Sequence, residues 1–461
     1  MLGSTEHIHL VGIGGIGMSG IAEILLNLGF RVSGSDLKDN EILAHLAELG
    51  ATIHTGHAAQ FVADADVVVT SSAIRPSNPE IIAAKSAKIP VIPRAEMLAE
   101  LMRMKRYGIA VAGSHGKTTT TSLLATVLGA AGFDPTVVVG GRVDAIGSNA
   151  KLGAGETFVT EADESDGSFL LLNPTVAVVT NVDLEHLDYY SGLEQLKRTF
   201  LTFINKVPFY GAAVLCVDDD AVRSLLPSVR KRLITYGLSP EAEFRATDIR
   251  PDGFATSFTA HHHKLGELGR YRLPLPGKHM VQNALAVLAV THELNVPAET
   301  VRRALGEFTG VRRRFQRVGE VNDIWVIDDY GHHPTEIRAT LAAARAGFGR
   351  RLLVAFQPHR YTRTRDMFDE FLSTFGEADK LLVTDIYAAS ETPIEGVTAQ
   401  KLVDGIRAYG HPDVTYIADR NELLRTLYEN ARPGDMVITM GAGDLNHLAV
   451  KLVEKLKEKF A

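Results

Sequence analysis

Short apolar runs alternate along this chain with stretches whose apolar positions recur at helical spacing. In the first hundred residues the runs are HIHLVGIG, RVSGSD, ATIHTG and DVVVTSSAI, with helical stretches from about Met18 to Leu28 and near 41–49. That alternation predicts βαβ units and a parallel sheet. IPVIPRAEML, with Pro90 and Pro93, reads as a connector into a helix. A second block carries YGIAVA, TFVTEADE, TVAVVTNVD and GAAVLCVD. From about 244 to 274, FATSFTA and YRLPL predict short antiparallel strands, followed by helices near 281–294 and 299–306. A third block repeats the α/β pattern with IWVIDDYG, RLLVAFQP, KLLVTDIY, VTYIAD and DMVITMGAG. The expected division is 1–104, 105–311 and 312–461. A chain of 461 residues exceeds one ordinary core, and two to four domains are the prior.

Composition narrows the function classes. Apolar residues make up 45% and charged residues 22%, the balance of a globular protein. A net charge of −7 argues against a nucleic-acid partner, which would need a basic face. No apolar run is long enough to span a bilayer, and MLGSTEHIHLVG does not read as a signal peptide, so a cytoplasmic protein without a membrane partner is the expectation. A single cysteine, Cys216, excludes an internal disulfide and a Cys-based zinc site.

The chemistry concentrates at YGIAVAGSHGKTTTTSLL, residues 107–124. A strand ends in Gly113-Ser114-His115-Gly116-Lys117-Thr118-Thr119 and a helical segment follows. Backbone amides of such a loop converge on phosphate oxygens, aided by the helix dipole. Lys117 would reach the β/γ-phosphates, and Thr118 would ligate Mg²⁺. The general pattern wants glycine five places before Gly116, where Val111 stands, so the loop is shortened to G-x-x-G-K-T. The alternative is a glycine-rich turn with a surface lysine.

A second glycine loop, Gly12-Ile13-Gly14-Gly15-Ile16-Gly17, follows the first strand, and Asp36 ends the next one. Its physics is a diphosphate beside a helix N-terminus, which suits a UDP-sugar as well as NAD. A purely structural turn is the other alternative. A chain with both loops calls for a nucleotide diphosphate in the first block and ATP in the second.

Two strands after the phosphate loop end in charged clusters, Glu161–Asp166 and Asp183–Asp188. Ligands of a parallel sheet collect beyond such strand ends, and Mg²⁺ needs only one or two carboxylates. Glu161 and His186 are candidate metal-shell residues. The other acids read mostly as solvated loop residues. In the third block, DDYGHHP (328–334) and QPHRYTRT (357–364) sit at strand-to-helix turns, and Arg360 with Arg363 could clamp a carboxylate. His261-His262-His263 lacks acidic neighbours in sequence and reads as an exposed hairpin region.

Together these pieces resemble the Mur ligase family along essentially the whole chain. Carrying the resemblance are GIGGIGMSG (12–20), SSAI (71–74), GSHGKTTTT (113–121), EADESDGSFL (161–170), TNVDLEH (180–186), GKHMVQNALA (277–286), GVRRRFQ (310–316), DDYGHHPTE (328–336), QPHRYTRTRD (357–366) and DIYAASETPIEG (385–396). The shortened phosphate loop is the family's form, and DDYGHHPTE with QPHRYTRT points to its alanine-adding branch. Ser114 stands where the family usually has Thr, and Met280 where it usually has Asn.

The resemblance implies an α/β protein of three domains: a Rossmann-like domain for a UDP-sugar, a central P-loop-type ATPase domain with a parallel and a small antiparallel sheet, and a Rossmann-like domain for an amino acid. It implies ATP-driven amide formation between the lactyl carboxylate of UDP-N-acetylmuramate and L-alanine, with two Mg²⁺ ions, in cytoplasmic peptidoglycan synthesis. Implied UDP-sugar contacts are Gly12, Gly14, Gly15, Gly17, Asp36, Ser71 and Ser72. Implied ATP contacts are residues 113–119 with His279, Asn283, Arg314 and Asp329. Lys117, Glu161 and His186 are implied catalytic residues, the metal resting on Thr118, Glu161 and His186. Alanine would meet Tyr330, His332, His359, Arg360 and Arg363, the two arginines counting as catalytic. A monomer or weak homo-oligomer is the expectation. Rival readings are a peptide-recycling ligase of the same family, an NAD-dependent oxidoreductase and a nucleotide-switched binding module.

Overall fold

The computed structural model describes residues 3–71, 73–143, 148–187 and 189–460. Its first sheet is built from β1 (His7–Val11), β2 (Arg31–Asp36), β3 (Thr52–Thr55), β4 (Val67–Thr70) and β5 (Val91–Pro93), in the order β3-β2-β1-β4-β5. All neighbours are parallel. β1 is buried at every position, as a central strand covered on both faces must be. The connecting helices are α1 (Ile16–Asn27), α2 (Glu41–Glu48) and α3 (Pro79–Ser86), with α4 (Arg94–Arg103) after β5. Asn40 caps α2 by accepting from the Leu43 amide, and Asn78 caps α3 ahead of Pro79. The chain leaves β1 toward β2 on one side and later returns to β4 on the other. That reversal opens a crevice at the carboxyl end of β1, where the first glycine loop lies.

The IPVIP segment is not only a connector. Val91 and Ile92 pair with Val68 and Val69, and Pro93 is tolerated because β5 is an edge strand.

The second sheet contains β6 (Tyr107–Ala112), β7 (Thr136–Val143), β8 (Ser148–Lys151), β9 (Thr157–Glu161), β10 (Val176–Val179), β11 (Ala212–Cys216), β12 (Leu233–Gly237), β13 (Phe244–Asp252), β14 (Ala255–His262) and β15 (Gly266–Leu273). Their order is β15-β14-β13-β12-β11-β10-β6-β9-β7-β8. β6 lies between β10 and β9, parallel to both. The acid-bearing loops after β9 and β10 therefore flank the phosphate loop after β6. Helix α5 (Lys117–Ala130) follows that loop. One apolar core joins Ile8, Leu10, Ile21 and Met97 to Phe158, Phe169, Phe200 and Phe203.

The third sheet holds β16 (Gln316–Val321), β17 (Ile324–Asp329), β18 (Arg351–Phe356), β19 (Lys380–Val383), β20 (Val414–Tyr416) and β21 (Asp435–Met440), ordered β16-β17-β21-β18-β19-β20. Only β16 runs antiparallel to its neighbour. Apolar layers cover both faces, one with Ile337, Leu341, Phe371 and Phe375, the other with Leu423, Leu448, Leu452 and Leu456.

The chain divides into two compact units. One comprises residues up to Thr247 with Thr259–Tyr271 and Gln282–Thr309. The other comprises Asp248–Phe258, Arg272–Val281 and the chain from Gly310 onward. The second unit thus takes in two segments that precede residue 312. Its Phe254, in the β13–β14 turn, packs against Trp325 (5.0 Å between ring centroids), Phe348 (4.8 Å) and Phe315 (6.1 Å). The histidine run also differs from expectation. His262 is buried, with Nε2 3.2 Å from Glu243 Oε1, because strand pairing supplies an acid that sequence proximity does not.

Phe254→Ala is expected to lower the stability of the second unit by about 2 kcal/mol, the cost of an aromatic cavity near the surface. Denaturant titration followed by the fluorescence of Trp325, the chain's single tryptophan, measures it.

Candidate active site

The phosphate loop is shaped by two glycines. Gly113 has φ 131°, and a Cβ there would lie 2.0 Å from Thr180 Oγ1. Gly116 is left-handed at φ 85°, and a Cβ would meet Asn283 Oδ1 at 2.7 Å. The buried Asn283 is thereby set against the loop. The neighbouring TNVD segment grips His115 at its amide, its carbonyl and one ring nitrogen. Asn181 Oδ1 accepts from its amide (2.8 Å), Asn181 Nδ2 and Thr180 Oγ1 donate to its carbonyl (3.0 and 2.6 Å), and Asp183 Oδ2 lies 3.1 Å from its Nε2. Ser114 Oγ accepts from the Asp183 amide at 2.8 Å. The His115 amide is thus committed. The amides of Gly116 and of the first turn of α5, Lys117, Thr118 and Thr119, precede the first helical bond, Thr120 N–H to Gly116 O, and suit an anion.

Lys117 Nζ donates to both oxygens of Glu164 at 2.8 Å and to the carbonyls of Gly113 (2.5 Å) and Ser114 (3.2 Å). Burial alone would lower its pKa, but the charges of Glu164 and Asp163 more than offset this and raise it. Glu164 is fully buried. His186 Nε2 stands 3.7 Å from Glu164 Oε1, and the ligand atoms of Glu164, Glu185 and His186 lie within 4.8 Å of one another. Burial works against the imidazolium of His186, yet the nearby carboxylates of Glu164 and Glu185 raise its pKa overall. The oxygen donors and one imidazole fit a hard divalent cation. Glu161 is placed elsewhere: its Oε1 accepts from the Gly140 amide at 2.7 Å. Glu164 and Glu185 went unassigned in sequence because every acid of the two runs looked alike.

At the first glycine loop, Asp36 Oδ2 accepts from the Gly14 amide at 2.9 Å and Oδ1 from Leu37 at 2.8 Å. Gly12 (φ 79°) donates to Ser35 O, and Gly15 caps α1. A Cβ on Gly17 would touch Arg94 Nη1 at 3.0 Å, so this guanidinium covers the loop. Arg94 Nη2 is also 3.6 Å from Asp163 Oδ2. Arg94 was missed by sequence reasoning, and its signal was a cation opening the helix after β5. Ser71 accepts from the Ile74 amide. Ser72 lies outside the described residues.

In the second unit, the segments after β17, β18 and β19 bring together Tyr330, His332, His359, Arg363 and Tyr387. His332 packs edge-on against Tyr330 (5.4 Å) and His359 (5.6 Å), and His359 stacks on Tyr387 (5.7 Å). Arg363 Nη1 donates to His359 Nδ1 at 3.0 Å. Burial, then the charges of His332, Arg363 and Arg360, push His359 down to about 3, so the ring is neutral. Arg360 holds a left-handed backbone, φ 69°, with its amide on Tyr387 O at 2.8 Å. Arg313 and Arg314 lie over the Tyr330 ring at 4.9 and 5.2 Å. Asp329 is buried and accepts from the Phe315 and Gly331 amides, both at 2.7 Å; burial outweighs the nearby Arg314 and raises its pKa. His279 is driven down to about 4 by burial and then by Arg314.

The matched domains follow these three sheets. Residues 7–106 match the Mur ligase family, catalytic domain; residues 111–291 match the Mur ligase middle domain; residues 313–443 match the Mur ligase, glutamate ligase domain. The chain belongs to the Mur ligase family. This Mur ligase is 60% identical over 457 residues to the UDP-N-acetylmuramate–L-alanine ligase of Geotalea uraniireducens, covering 99% of both chains. It is 57% identical to that of Myxococcus xanthus, covering 98% of this chain and 96% of the relative. Among solved structures it superposes on the UDP-N-acetylmuramate-alanine ligase of Thermotoga maritima with a TM-score of 0.83 at 30% identity, over 98% and 99% of the chains. A murein peptide ligase of Psychrobacter arcticus gives 0.72 at 25% identity, over 98% of each chain. The three-domain α/β architecture of the Mur ligases is thus present here, and among the described residues no helix is long and apolar enough to cross a membrane. Mur ligases are ATP-dependent, which agrees with the phosphate loop.

A histidine kept neutral in the fold but free to charge when unfolded loses stability as pH falls below about 6.5 toward its folded pKa. His359→Gln is therefore expected to reduce the drop in stability between neutral pH and about pH 5 by on the order of 1 kcal/mol. Denaturation midpoints of both proteins across that interval measure the difference.

Proposed function

We propose that this Mur ligase joins L-alanine to the lactyl carboxylate of UDP-N-acetylmuramate at the expense of ATP, an early step of peptidoglycan synthesis in the cytoplasm. The observation that carries the reading is full-length agreement with alanine-adding ligases at 57–60% identity, together with a TM-score of 0.83 to a solved alanine-adding ligase against 0.72 to a murein peptide ligase. That contrast favours alanine over a preformed peptide.

A carboxylate and an amine do not condense at neutral pH, because oxide is too poor a leaving group. Attack of the carboxylate oxygen on the γ-phosphorus releases ADP and leaves an acyl phosphate. The amine then attacks the acyl carbon, phosphate departs, and the ammonium proton is lost to solvent or a base. The first step brings two anions together and needs concentrated positive charge. Lys117 supplies it beside the first turn of α5. A divalent cation, best Mg²⁺, would be held by Glu164, Glu185 and His186, and a second by Thr118 and Glu161; bound there, such ions would neutralise phosphate charge. Glu164 also orients Lys117. Arg94 and the glycines at 12, 14, 15 and 17 hold the sugar nucleotide's diphosphate, with Asp36 and Ser71 beside it. His279, Asn283, Arg314 and Asp329 serve the ATP site, Asp329 through the backbone it fixes. Arg360 and Arg363 clamp the alanine carboxylate next to Tyr330, His332 and His359.

Phosphate release should require both UDP-N-acetylmuramate and alanine; release that ignores either overturns the reading. Lys117→Ala should lower kcat by roughly a hundredfold or more with the fold retained, because it removes charge used in the transition state.

Arg363→Ala should raise KM for alanine far more than KM for ATP in steady-state assays. An unchanged alanine KM counts against the clamp.

A further inference from the structure

A polar thread crosses the core of the first sheet and is not used by the chemistry above. Glu80, on α3, is fully buried. Its Oε2 is 2.9 Å from His9 Nε2 and accepts from Ser35 Oγ (2.8 Å), and its Oε1 is 3.0 Å from His57 Nδ1 and accepts from the Ala58 amide (3.2 Å). Ser35 Oγ is also 3.0 Å from His57 Nδ1. Beyond His9 the thread continues. His9 Nδ1 is 2.8 Å from Ser33 Oγ, Ser33 Oγ is 2.7 Å from His7 Nε2, and His7 Nδ1 is 2.9 Å from the carbonyl oxygen of Asp64.

The hydrogens in this thread can be counted. From Asp64 O to Glu80 Oε2 there are four contacts, and each needs one hydrogen. Asp64 O is an acceptor that brings none, and Glu80 brings none as a carboxylate, the form that its hydrogen bonds with His9 and Ser35 favour. Neutral His7, Ser33 and His9 bring one each, which is three. All three side chains are buried, and the contacts between them are direct.

We infer that His7, Ser33 and His9 together hold one proton more than their neutral forms supply, and that this buried positive charge lets the buried Glu80 carboxylate position the His57 loop at the UDP-sugar edge. The charges balance: one extra proton, one carboxylate. Burial alone would raise the Glu80 pKa, yet hydrogen bonds from His9 and Ser35 bring it below its usual range. The loop lies where the inference needs it. Thr55 is the register partner of Asp36, and the Gly56 amide donates to Asp36 O at 2.8 Å. Glu80 is thus a positioning residue for the sugar nucleotide, a role that rests on reading the Asp36 edge as its site.

Nitrogen-15 NMR of the full, histidine-labelled chain near neutral pH reads ring protonation directly, with His7→Gln and His9→Gln assigning the signals. One imidazolium shared between His7 and His9 is expected; two neutral rings overturn the proton count. Glu80→Gln should raise the Kd for UDP-N-acetylmuramate roughly tenfold, the worth of a charged hydrogen-bond set, with the Kd for ATP unchanged. Ser35→Ala removes a single donor to Glu80 and should weaken sugar-nucleotide binding roughly threefold if Glu80→Gln does not fold. Unchanged affinity in folded variants overturns the positioning role. If the wild-type chain bound no UDP-N-acetylmuramate at all, the reading of the edge would fall, whereas the proton count is decided by the spectrum.

Discussion

A lysine and a glutamate withdrawn from water hold the central site together. A buried charge without a partner is costly, because desolvation costs several kcal/mol per ion. Paired at 2.8 Å through both carboxylate oxygens, Lys117 and Glu164 each make the other tolerable. The pair also fixes geometry. It ties the loop after β6 to the loop after β9, while Asn181 and Asp183 tie it to the loop after β10. Tyr190 completes the closure by donating to the Glu164 carbonyl at 2.6 Å. Three strand ends are thereby bound into one surface, and the first turn of α5 rises from it.

The three polar centres of the chain carry their charge by different means. At the phosphate loop a cation is kept charged by an anion. In the first sheet a carboxylate is offset by donors and by a proton held in common. Around His359 the surroundings are cationic, and the ring stays neutral. A neutral ring can accept from Arg363 without repelling it while its face stacks on Tyr387.

Much of this was legible in the sequence. Strands such as IAVAG and AVVTN announce themselves because a buried parallel strand is apolar throughout, and the glycine loops announce themselves by spacing. What was not legible depended on direction. Glu161 and Glu164 stand three residues apart in one acidic run, and only the path of the chain separates them. Glu161 ends β9 and turns to Gly140, whereas the turn that follows, with Gly167 at φ 69°, puts Glu164 on Lys117. Arg94 was hidden for a related reason: it reads as the opening of a helix, and its closeness to Gly17 arises only when β5 joins the sheet. Glu243 beside His262 is a third case, where two strands bring together residues that sequence keeps apart.

The grip of Asn181 on both the amide and the carbonyl of His115 has a consequence for inhibitor chemistry. A compound competing with ATP gains little from an acceptor aimed at that amide, since it would have to break a 2.8 Å bond already made. Anionic groups directed at the opening turn of α5 meet donors without that competition. Selectivity over kinases and other nucleotide enzymes with longer phosphate loops would come from this shorter, tethered turn.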